Sequence, residues 1–232
     1  MNFPDSFKIT CGNCLSESEY FDWVSSHSLG AHDLDTRPSE DSRTAMKSMF
    51  VKMCPNCKYC YRDIGNISEI GRVTIRSNEY LSQIDNLDYP VSANQFFCKS
   101  IILEAEGNII NAAWAMLHAA WCCDDTENYI QSKLCRIKAI ELFQIANSVG
   151  LKICENDGEF VCVLVDLYRK SENFGIARKL AEQRFKTEKN DLCRKILFFQ
   201  LSLIENRDLS TYTTSSAISF FAKNYPKLSP DN

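Results

Sequence analysis

The stretch NIINAAWAMLHAAWCC, residues 108–123, is rich in alanine and aromatic residues and holds neither glycine nor proline. Within it, Ala112, Met116 and Ala119 recur at i, i+4 and i+7, which is the spacing of one face of an α-helix. Small side chains at that spacing let a second helix approach closely. The stretch therefore predicts a helix that packs closely against its neighbours.

Similar patterns continue from Val91 towards the C-terminus. The chain holds only 8 Gly and 6 Pro in 232 residues, which favours long helices over many short strands. The breaks between the patterns are short, as antiparallel helix packing prefers. A shorter helix is predicted from a cap at Ser77 to Asn86. The longer predicted helices span Ser92–Glu106, Asn108–Cys123, Thr126–Ser148, Asp157–Lys170, Asn173–Lys186, Asp191–Glu205 and Ser210–Lys223.

Two later helices repeat the spacing of the first, at irregular offsets. The repeats are Ala139, Phe143 and Ala146, and then Ala177, Ala181 and Arg184. The segments Leu164–Tyr168 and Asn173–Ala177 together resemble a tetratricopeptide hairpin, although Val165 and Glu172 stand where that motif has a small residue and a glycine. We predict a mainly α fold with tetratricopeptide-like helix pairing, and a generic helical bundle is the alternative.

The first 65 residues lack long helical periodicity and hold two C-x2-C motifs, CGNC at Cys11–Cys14 and CPNC at Cys54–Cys57. A two-residue spacer lets both thiolates of a motif point at one ion, and two motifs supply the four ligands of tetrahedral zinc. Four thiolates leave no open position, so these cysteines predict a structural zinc site in a zinc-ribbon-like unit. The 39 residues between the motifs exceed the usual separation in a zinc ribbon.

Other uses of these cysteines stay open. The alternatives are a redox-active pair, an iron–sulfur cluster or buried free thiols. A redox-active pair normally lies at the start of a helix, and neither motif has that context. Cys60, His27 and His32 are alternative ligands. The remaining seven cysteines lie in apolar patterns, where cysteine behaves as a small hydrophobe. Cysteines used in these ways indicate a protein of the reducing cytoplasm.

Between the two motifs lies GAHDLDTRP, residues 30–38. Asp33, Asp35 and Arg37 form either an acid–base cluster or a buried polar network that orders the long loop around zinc. Carboxylates paired with arginine stay ionised and make poor general acids. We therefore predict the polar network and a structural role.

The order of these motifs resembles an uncharacterised bacterial family, domain of unknown function 2225. The resemblance rests on the first C-x2-C motif, DLDTRP at 33–38, CPNCKYC at 54–60 and helical hairpins that include AAWAMLHAAWCCDD at 112–125. It implies a zinc-binding N-terminus joined to tetratricopeptide-like helices, with Cys11, Cys14, Cys54 and Cys57 as ligands. Lys58 departs from the glycine common after the second motif, so the local turn need not be the same. The family supplies no known activity.

The net charge is −4, but residues 169–195 hold 9 Lys/Arg against 4 Asp/Glu. Stacked helix pairs create an extended surface, so the leading hypothesis is a non-catalytic zinc-binding scaffold for a protein partner. The alternative is a nucleic-acid-associated zinc protein that uses this basic segment, although aromatic residues for base stacking are not interleaved with its charges. A solvated helix face is the usual fate of such residues. The candidate binding face is Arg178, Lys179, Arg184 and Lys186.

No P-loop, dinucleotide fingerprint, Gly-x-Ser-x-Gly or HExxH motif occurs, so no catalytic residue is predicted. His118 is expected to be a packed helix residue. The N-terminus lacks the apolar core of a signal peptide, and no segment of about 18 residues is apolar throughout. We predict a cytoplasmic protein without membrane contact, with a zinc unit at 1–65, a transition with a short helix at 66–90 and a helical domain at 91–232.

Overall fold

The computed structural model describes residues 5–22, 30–39, 42–43, 50–154 and 156–225. Helices dominate the described residues, which confirms the predicted mainly α fold. The strands are β1 (Asp5–Thr10), β2 (Glu17–Asp22), β3 (Lys52–Met53) and β4 (Cys60–Tyr61). The helices are α1 (Glu69–Thr74), α2 (Asn78–Ile84), α3 (Val91–Ala105), α4 (Ile109–Asp124), α5 (Tyr129–Ser148), α6 (Asp157–Lys170), α7 (Phe174–Thr187), α8 (Asp191–Glu205) and α9 (Thr214–Asn224). In the described part of the chain, no helix combines the length and apolarity that a membrane span requires.

Every helix predicted from the sequence is present, and most ends agree within a few residues. Ser77 caps α2 as expected, because its side chain accepts a hydrogen bond from the Tyr80 N–H. The last helix begins at Thr214 instead of Ser210, because Thr213 is the residue whose side chain caps it. Helix α1 was not predicted, since it is only six residues long.

The described residues form two compact units that are each built from separate parts of the chain. The units are Met1–Leu29 with Glu40–Ile153, and Gly30–Ser39 with Cys154–Asn232. The predicted segments 1–65, 66–90 and 91–232 follow a different division. The predicted segments were based on where helical periodicity begins in the sequence. The two units instead depend on contacts between segments that are distant in sequence, which periodicity does not reveal.

The described part of the first unit contains two antiparallel hairpins and helices α1 to α5. Strand β1 pairs with β2, and β3 pairs with β4. Helix α3 packs against β4, α1 and α2. The Tyr80 hydroxyl of α2 accepts a hydrogen bond from the Cys60 N–H and donates one to the Lys58 carbonyl, each at 2.9 Å. The 66–90 segment is therefore tied to the second hairpin.

Helix α4 packs against both α3 and α5 through small side chains. The residues predicted to form a packing face, Ala112, Met116 and Ala119, are completely buried. The corresponding residues of α5 are buried in the same way; they are Ala139, Phe143 and Ala146. Arg136 of α5 is also buried, and its Nη2 lies 2.5 Å from Oδ2 of Asp124 in α4. Removing one partner of such a pair typically costs about 3–5 kcal/mol, because the other charge stays buried.

Several of the helices end in turns of one recurring geometry. Gly107, Glu127, Glu172 and Arg207 each have positive φ and each follow a helix end. In every case the next N–H donates to the carbonyl five residues earlier, for example Asn173 to Tyr168 at 2.8 Å. This is the Schellman arrangement, in which a left-handed residue lets the chain satisfy the last helical carbonyls.

In the second unit, α7 packs against α6 and α8, and α9 packs against α8. Residues 30–39 belong to this unit through backbone hydrogen bonds. The Leu34 N–H donates to the Tyr212 carbonyl at 2.9 Å, and the Thr214 N–H donates to the His32 carbonyl at 2.8 Å. A segment from the N-terminal part of the chain therefore completes the C-terminal helical unit.

Candidate metal centre

The two C-x2-C motifs fold into matching turns. The Leu15 N–H donates to the Cys11 carbonyl and the Lys58 N–H to the Cys54 carbonyl, both at 2.9 Å. Each turn then closes with a second bond at 2.9 Å. These bonds run from the Cys11 N–H to the Ser16 carbonyl and from the Cys54 N–H to the Tyr59 carbonyl. The repeated geometry presents two cysteine side chains from each turn towards the same point.

The four cysteine sulfurs form one cluster, with all Sγ atoms within 4.8 Å of one another. Sγ of Cys11 lies 3.7 Å from that of Cys57, and Sγ of Cys14 lies 3.6 Å from that of Cys54. These separations are far longer than the roughly 2.0 Å of a disulfide bond. They approach the roughly 3.8 Å edge of a tetrahedron whose sulfurs lie about 2.3 Å from a central ion. The cluster could therefore hold a metal ion.

Hydrogen bonding favours ionised sulfur at two of the four cysteines. The Ser16 hydroxyl and the Asn56 side chain lower the pKa of Cys14 to about 5. Burial opposes ionisation of Cys54, but the Ser16 hydroxyl and nearby backbone N–H groups lower its pKa overall. Burial raises the pKa of Cys11 to about 12 and also raises that of Cys57. Because a cation must displace the remaining thiol protons, metal binding to this cluster is expected to release protons.

Close backbone contacts hold the first turn in place. The Gly12 N–H donates to the Ile64 carbonyl at 2.8 Å, and a Cβ at Gly12 would lie only 2.6 Å from the Gly65 carbonyl oxygen. Arg72 of α1 reaches the same turn, where its Nη2 donates to the Gly12 carbonyl at 2.8 Å. The position between the cysteines therefore requires glycine, and α1 is fastened to the first motif.

The second motif is joined to the first hairpin and to α2. The Tyr20 hydroxyl of β2 donates to the Met53 carbonyl at 3.1 Å, immediately before Cys54. Tyr80 binds the Lys58 carbonyl on the other side of the motif. Sequence reasoning missed the supporting roles of Arg72 and Tyr80, because no local pattern links these helical residues to the cysteines.

Cys60 does not join the sulfur cluster. Its side chain is buried and its Sγ donates to the Lys58 carbonyl at 3.3 Å, while burial raises its pKa to about 12. His32 lies in the second unit, with its Nδ1 3.2 Å from the Thr36 carbonyl oxygen. His27 lies outside the described residues. Cys60 and His32, the two alternative ligands within the described residues, thus contact backbone carbonyls and not the sulfur cluster.

The Asp33–Arg37 turn, for which we predicted a polar network, is buried. Asp33, Asp35 and Arg37 are each at most 5% exposed. The Asp33 N–H donates to the Arg37 carbonyl at 2.8 Å, and the Arg37 N–H donates to Asp35 Oδ1 at 3.3 Å. The backbone in and next to this turn also pairs with Tyr212 and Thr214 of the second unit, and the expectation that the loop is ordered around the metal stays a prediction.

The basic segment does not form one free cationic face. Arg169 is completely buried and its Nη2 lies 2.7 Å from Oδ1 of Asp166. Arg184 pairs with the buried carboxylate of Glu188 at 2.6 Å. Arg178 is exposed but lies 3.7 Å from Glu182. Lys179 and Lys186 are exposed as predicted, so only part of the candidate binding face offers unpaired charge.

The fold and the site define a mainly helical protein with a four-cysteine cluster that could hold a metal ion. No protein-family model, curated protein or solved structure matches the chain. The resemblance to the uncharacterised bacterial family therefore stays a prediction. Any function must be argued from the residues of this chain.

Proposed function

We propose that this protein is a non-catalytic zinc protein, in which the ion fastens two N-terminal hairpins to a helical scaffold that binds other proteins. The observation that supports the metal role most directly is the cluster of four sulfurs within 4.8 Å. Tetrahedral sets of four sulfurs are typical of zinc or of iron–sulfur chemistry. Zinc suits a site whose four ligands come from two rigid turns and leave no open position.

A structural role follows from what the two motifs connect. The first motif binds α1 through Arg72, and the second binds α2 through the Tyr80 hydroxyl. The strands beside the second motif have only two residues each, and the described side chains of the longer strands β1 and β2 are at most half-buried. Such hairpins bury little apolar surface, so the free energy of metal binding contributes to their folding.

The metal role is tested by elemental analysis of full-length protein purified without a metal-affinity tag. Wild-type protein should contain one zinc per chain, and Cys11→Ser and Cys54→Ser should each lose it. Cys60→Ser is the matched control, because Cys60 is buried nearby but lies outside the cluster. Circular dichroism should show that most helicity persists in all variants. Iron in the wild-type protein, or full zinc content in both ligand variants, would contradict the proposal.

Exposed apolar residues on α5 support the protein-binding part of the proposal. Ile130 and Val149 are 75% and 66% exposed, and Leu134 and Ile145 are about half exposed. Ile130, Leu134 and Ile145 lie on one face of α5, and Val149, four residues beyond Ile145, is the residue that ends the helix on the same side. Lys138 and Glu141 separate the two pairs Ile130/Leu134 and Ile145/Val149, and exposed apolar side chains rimmed by charged residues typically mark an interaction site. We expect the partner to present an apolar surface of its own, such as one face of an amphipathic helix.

Quantitative affinity purification tests this part. The variant Ile130→Ser/Val149→Ser should lose a protein that both wild-type chain and Lys179→Ala retain. Light scattering on the same three proteins distinguishes a separate partner from self-association. Equal recovery of every bound protein by all three would contradict the α5 surface.

Binding of nucleic acid is the weaker candidate. Exposed Lys179 and Lys186 favour it, but Arg169 is buried and Arg178 and Arg184 are paired with carboxylates. A duplex binder that used this segment should lose affinity steeply as salt increases. Fluorescence anisotropy with a generic duplex at low and high salt measures that dependence.

A further inference from the structure

A pocket beside the first turn of α4 is unrelated to the metal centre. Its volume is about 370 Å³, which lies within the usual range for small-molecule sites. Tyr61, Arg62, Lys99, Asn111, Trp114 and His118 are among the residues that line it. All of these residues belong to the first unit. The pocket combines two cations with aromatic walls.

The two cations have no acidic counterpart in the pocket. The lining includes neither Asp nor Glu. Lys99 donates from Nζ to the Phe50 carbonyl at 2.8 Å, which satisfies one of its donors without neutralising its charge. Nearby Glu106 instead accepts hydrogen bonds from Tyr61, at 2.9 Å, and from Ser68. Two like charges therefore share a concave site without a carboxylate partner among the described residues.

This arrangement is electrostatically unfavourable when no anion is bound. Burial, together with a smaller effect of the positive charge of Arg62, lowers the pKa of Lys99 to about 8. An anion between the two side chains would replace lost hydration and offset their repulsion. Asn108 and Asn111 bring the first turn of α4 to the same pocket. The start of a 16-residue helix also favours negative charge.

The remaining walls suit a flat, partly apolar group. Trp114 is half-buried, and its ring meets Phe143 edge-on at 5.2 Å. The rings of Phe50 and His118, which also line the pocket, lie 5.0 Å apart. His118 also packs against Phe96 and Trp121, which agrees with its expected role as a packed helix residue. Aromatic surfaces of this kind stack with planar rings.

We propose that this pocket binds a small organic phosphate, with the phosphate group between Lys99 and Arg62 and a planar ring against Trp114. The planar arginine fork and the lysine ammonium together match a doubly charged phosphate monoester. A single carboxylate would leave one of the two cations without a counter-charge. The volume exceeds what inorganic phosphate needs, so an organic group fills the rest.

Isothermal titration calorimetry on the full-length protein tests the proposal with four probes. The probes are adenosine monophosphate, adenosine, inorganic phosphate and succinate. Adenosine monophosphate should bind most tightly. Adenosine, which lacks the phosphate, and inorganic phosphate, which lacks the ring, should each bind more weakly by about tenfold or more. Equal affinity for adenosine, tighter binding of succinate, or no binding of any phosphate at millimolar concentration would overturn the assignment.

Variants connect that binding to the named residues. Lys99→Met and Arg62→Met should each weaken binding of adenosine monophosphate by about tenfold or more, as expected for a lost charge-assisted hydrogen bond. Lys179→Met is the control, because Lys179 is an exposed lysine of the second unit. Arg62 is itself exposed, so its substitution should leave the fold intact even if Lys99→Met does not. Wild-type affinity in Arg62→Met would overturn the proposal.

Discussion

Leu15 and Lys58 occupy the same place in the two cysteine turns, one residue beyond the second cysteine. Their φ angles are 62° and 61°, and both N–H groups donate to the carbonyl of the first cysteine in their motif. This left-handed conformation is the one that glycine adopts without cost. The absence of glycine at Lys58 therefore does not change the turn, and non-glycine residues at both positions leave backbone strain in both motifs.

Lys58→Gly should relieve that strain and stabilise the metal-bound protein by about 1 kcal/mol, since a non-glycine residue pays about 1–2 kcal/mol in this conformation. Lys58→Val should destabilise it, because a β-branched side chain tolerates positive φ poorly. Urea unfolding and the rate of zinc loss to a chelator measure the two effects. Lys52→Gly, in strand β3, is the control and should lower stability. A stabilisation by Lys52→Gly equal to that by Lys58→Gly would contradict the explanation.

Glu172→Gly should stabilise the second unit for the same physical reason. Glu172 ends the turn between α6 and α7 with φ of 65°, at the position where a tetratricopeptide hairpin has glycine. We expect a gain of about 0.5–1 kcal/mol in the free energy of unfolding. The matched control is Glu141→Gly in the exposed middle of α5, which should cost about 1 kcal/mol. Destabilisation by both substitutions would show that the Glu172 side chain contributes more than its backbone strain costs.

The pH dependence of stability should include a contribution from Glu188. Burial opposes ionisation of its carboxylate, but N–H groups of Asn190 and Lys189 and the Arg184 guanidinium lower its pKa below the ordinary 4.5. A pKa that is lower in the folded state means that stability is present above pH 4.5 and is lost as the pH falls through the folded value. The difference in unfolding free energy between wild type and Glu188→Gln should therefore shrink from pH 7 towards pH 3.

Glu182→Gln is the control for that measurement, because Glu182 makes only an exposed pair with Arg178. Its effect on stability should be small at every pH. Taking differences between variants at one pH cancels the loss of metal that acid causes in all of them. A constant difference between wild type and Glu188→Gln across the range would contradict the assigned pKa direction.

The sequence predicted the features that depend on local pattern. The small-residue faces of α4 and α5 could be read from 3.6-residue periodicity, and the four cluster cysteines from two-residue spacers. Arg169 and Arg178 illustrate the limit. Both stand in the same basic segment, but Arg169 donates to the Asp208 and Ser210 carbonyls and is buried, whereas Arg178 is exposed. The difference in their burial depends on contacts with residues 208–210, which are distant in sequence. The local pattern around the two arginines therefore could not distinguish them.

The phosphate pocket and the position of residues 30–39 escaped prediction for the same reason. Lys99 and Arg62 come from a helix and a loop that no motif connects. The Asp33–Arg37 turn was recognised as a polar network, but nothing in its own sequence names Tyr212 and Thr214 as its backbone partners. The pairing of residues 30–39 with residues 212–214 exists only once the second unit has folded, so neither segment's own sequence predicts it.

The pairing of residues 30–39 with the second unit can be tested by one substitution, Thr214→Pro. Thr214 is the first residue of α9, where proline is well accommodated, and Thr213 before it has an extended ψ of 164°. The change therefore removes the hydrogen bond from the Thr214 N–H to the His32 carbonyl with little effect on the helix. Hydrogen exchange at the Leu34 amide should become faster, because its bond to the Tyr212 carbonyl belongs to the same short ladder.

Asp157→Pro is the matched control, because Asp157 is the first residue of α6 and follows a cap, Asn156, that is also extended. It should leave exchange at the Leu34 amide unchanged. Limited proteolysis should also distinguish the two variants. Thr214→Pro should be cleaved at new sites within residues 30–39, and Asp157→Pro should not. Unchanged exchange at Leu34 in Thr214→Pro, with α9 intact by circular dichroism, would mean that side chains and not this ladder hold the loop. The buried side chains of Asp33, Leu34, Asp35 and Arg37 would then be the ones to substitute, since their contacts would have to hold this segment in the second unit.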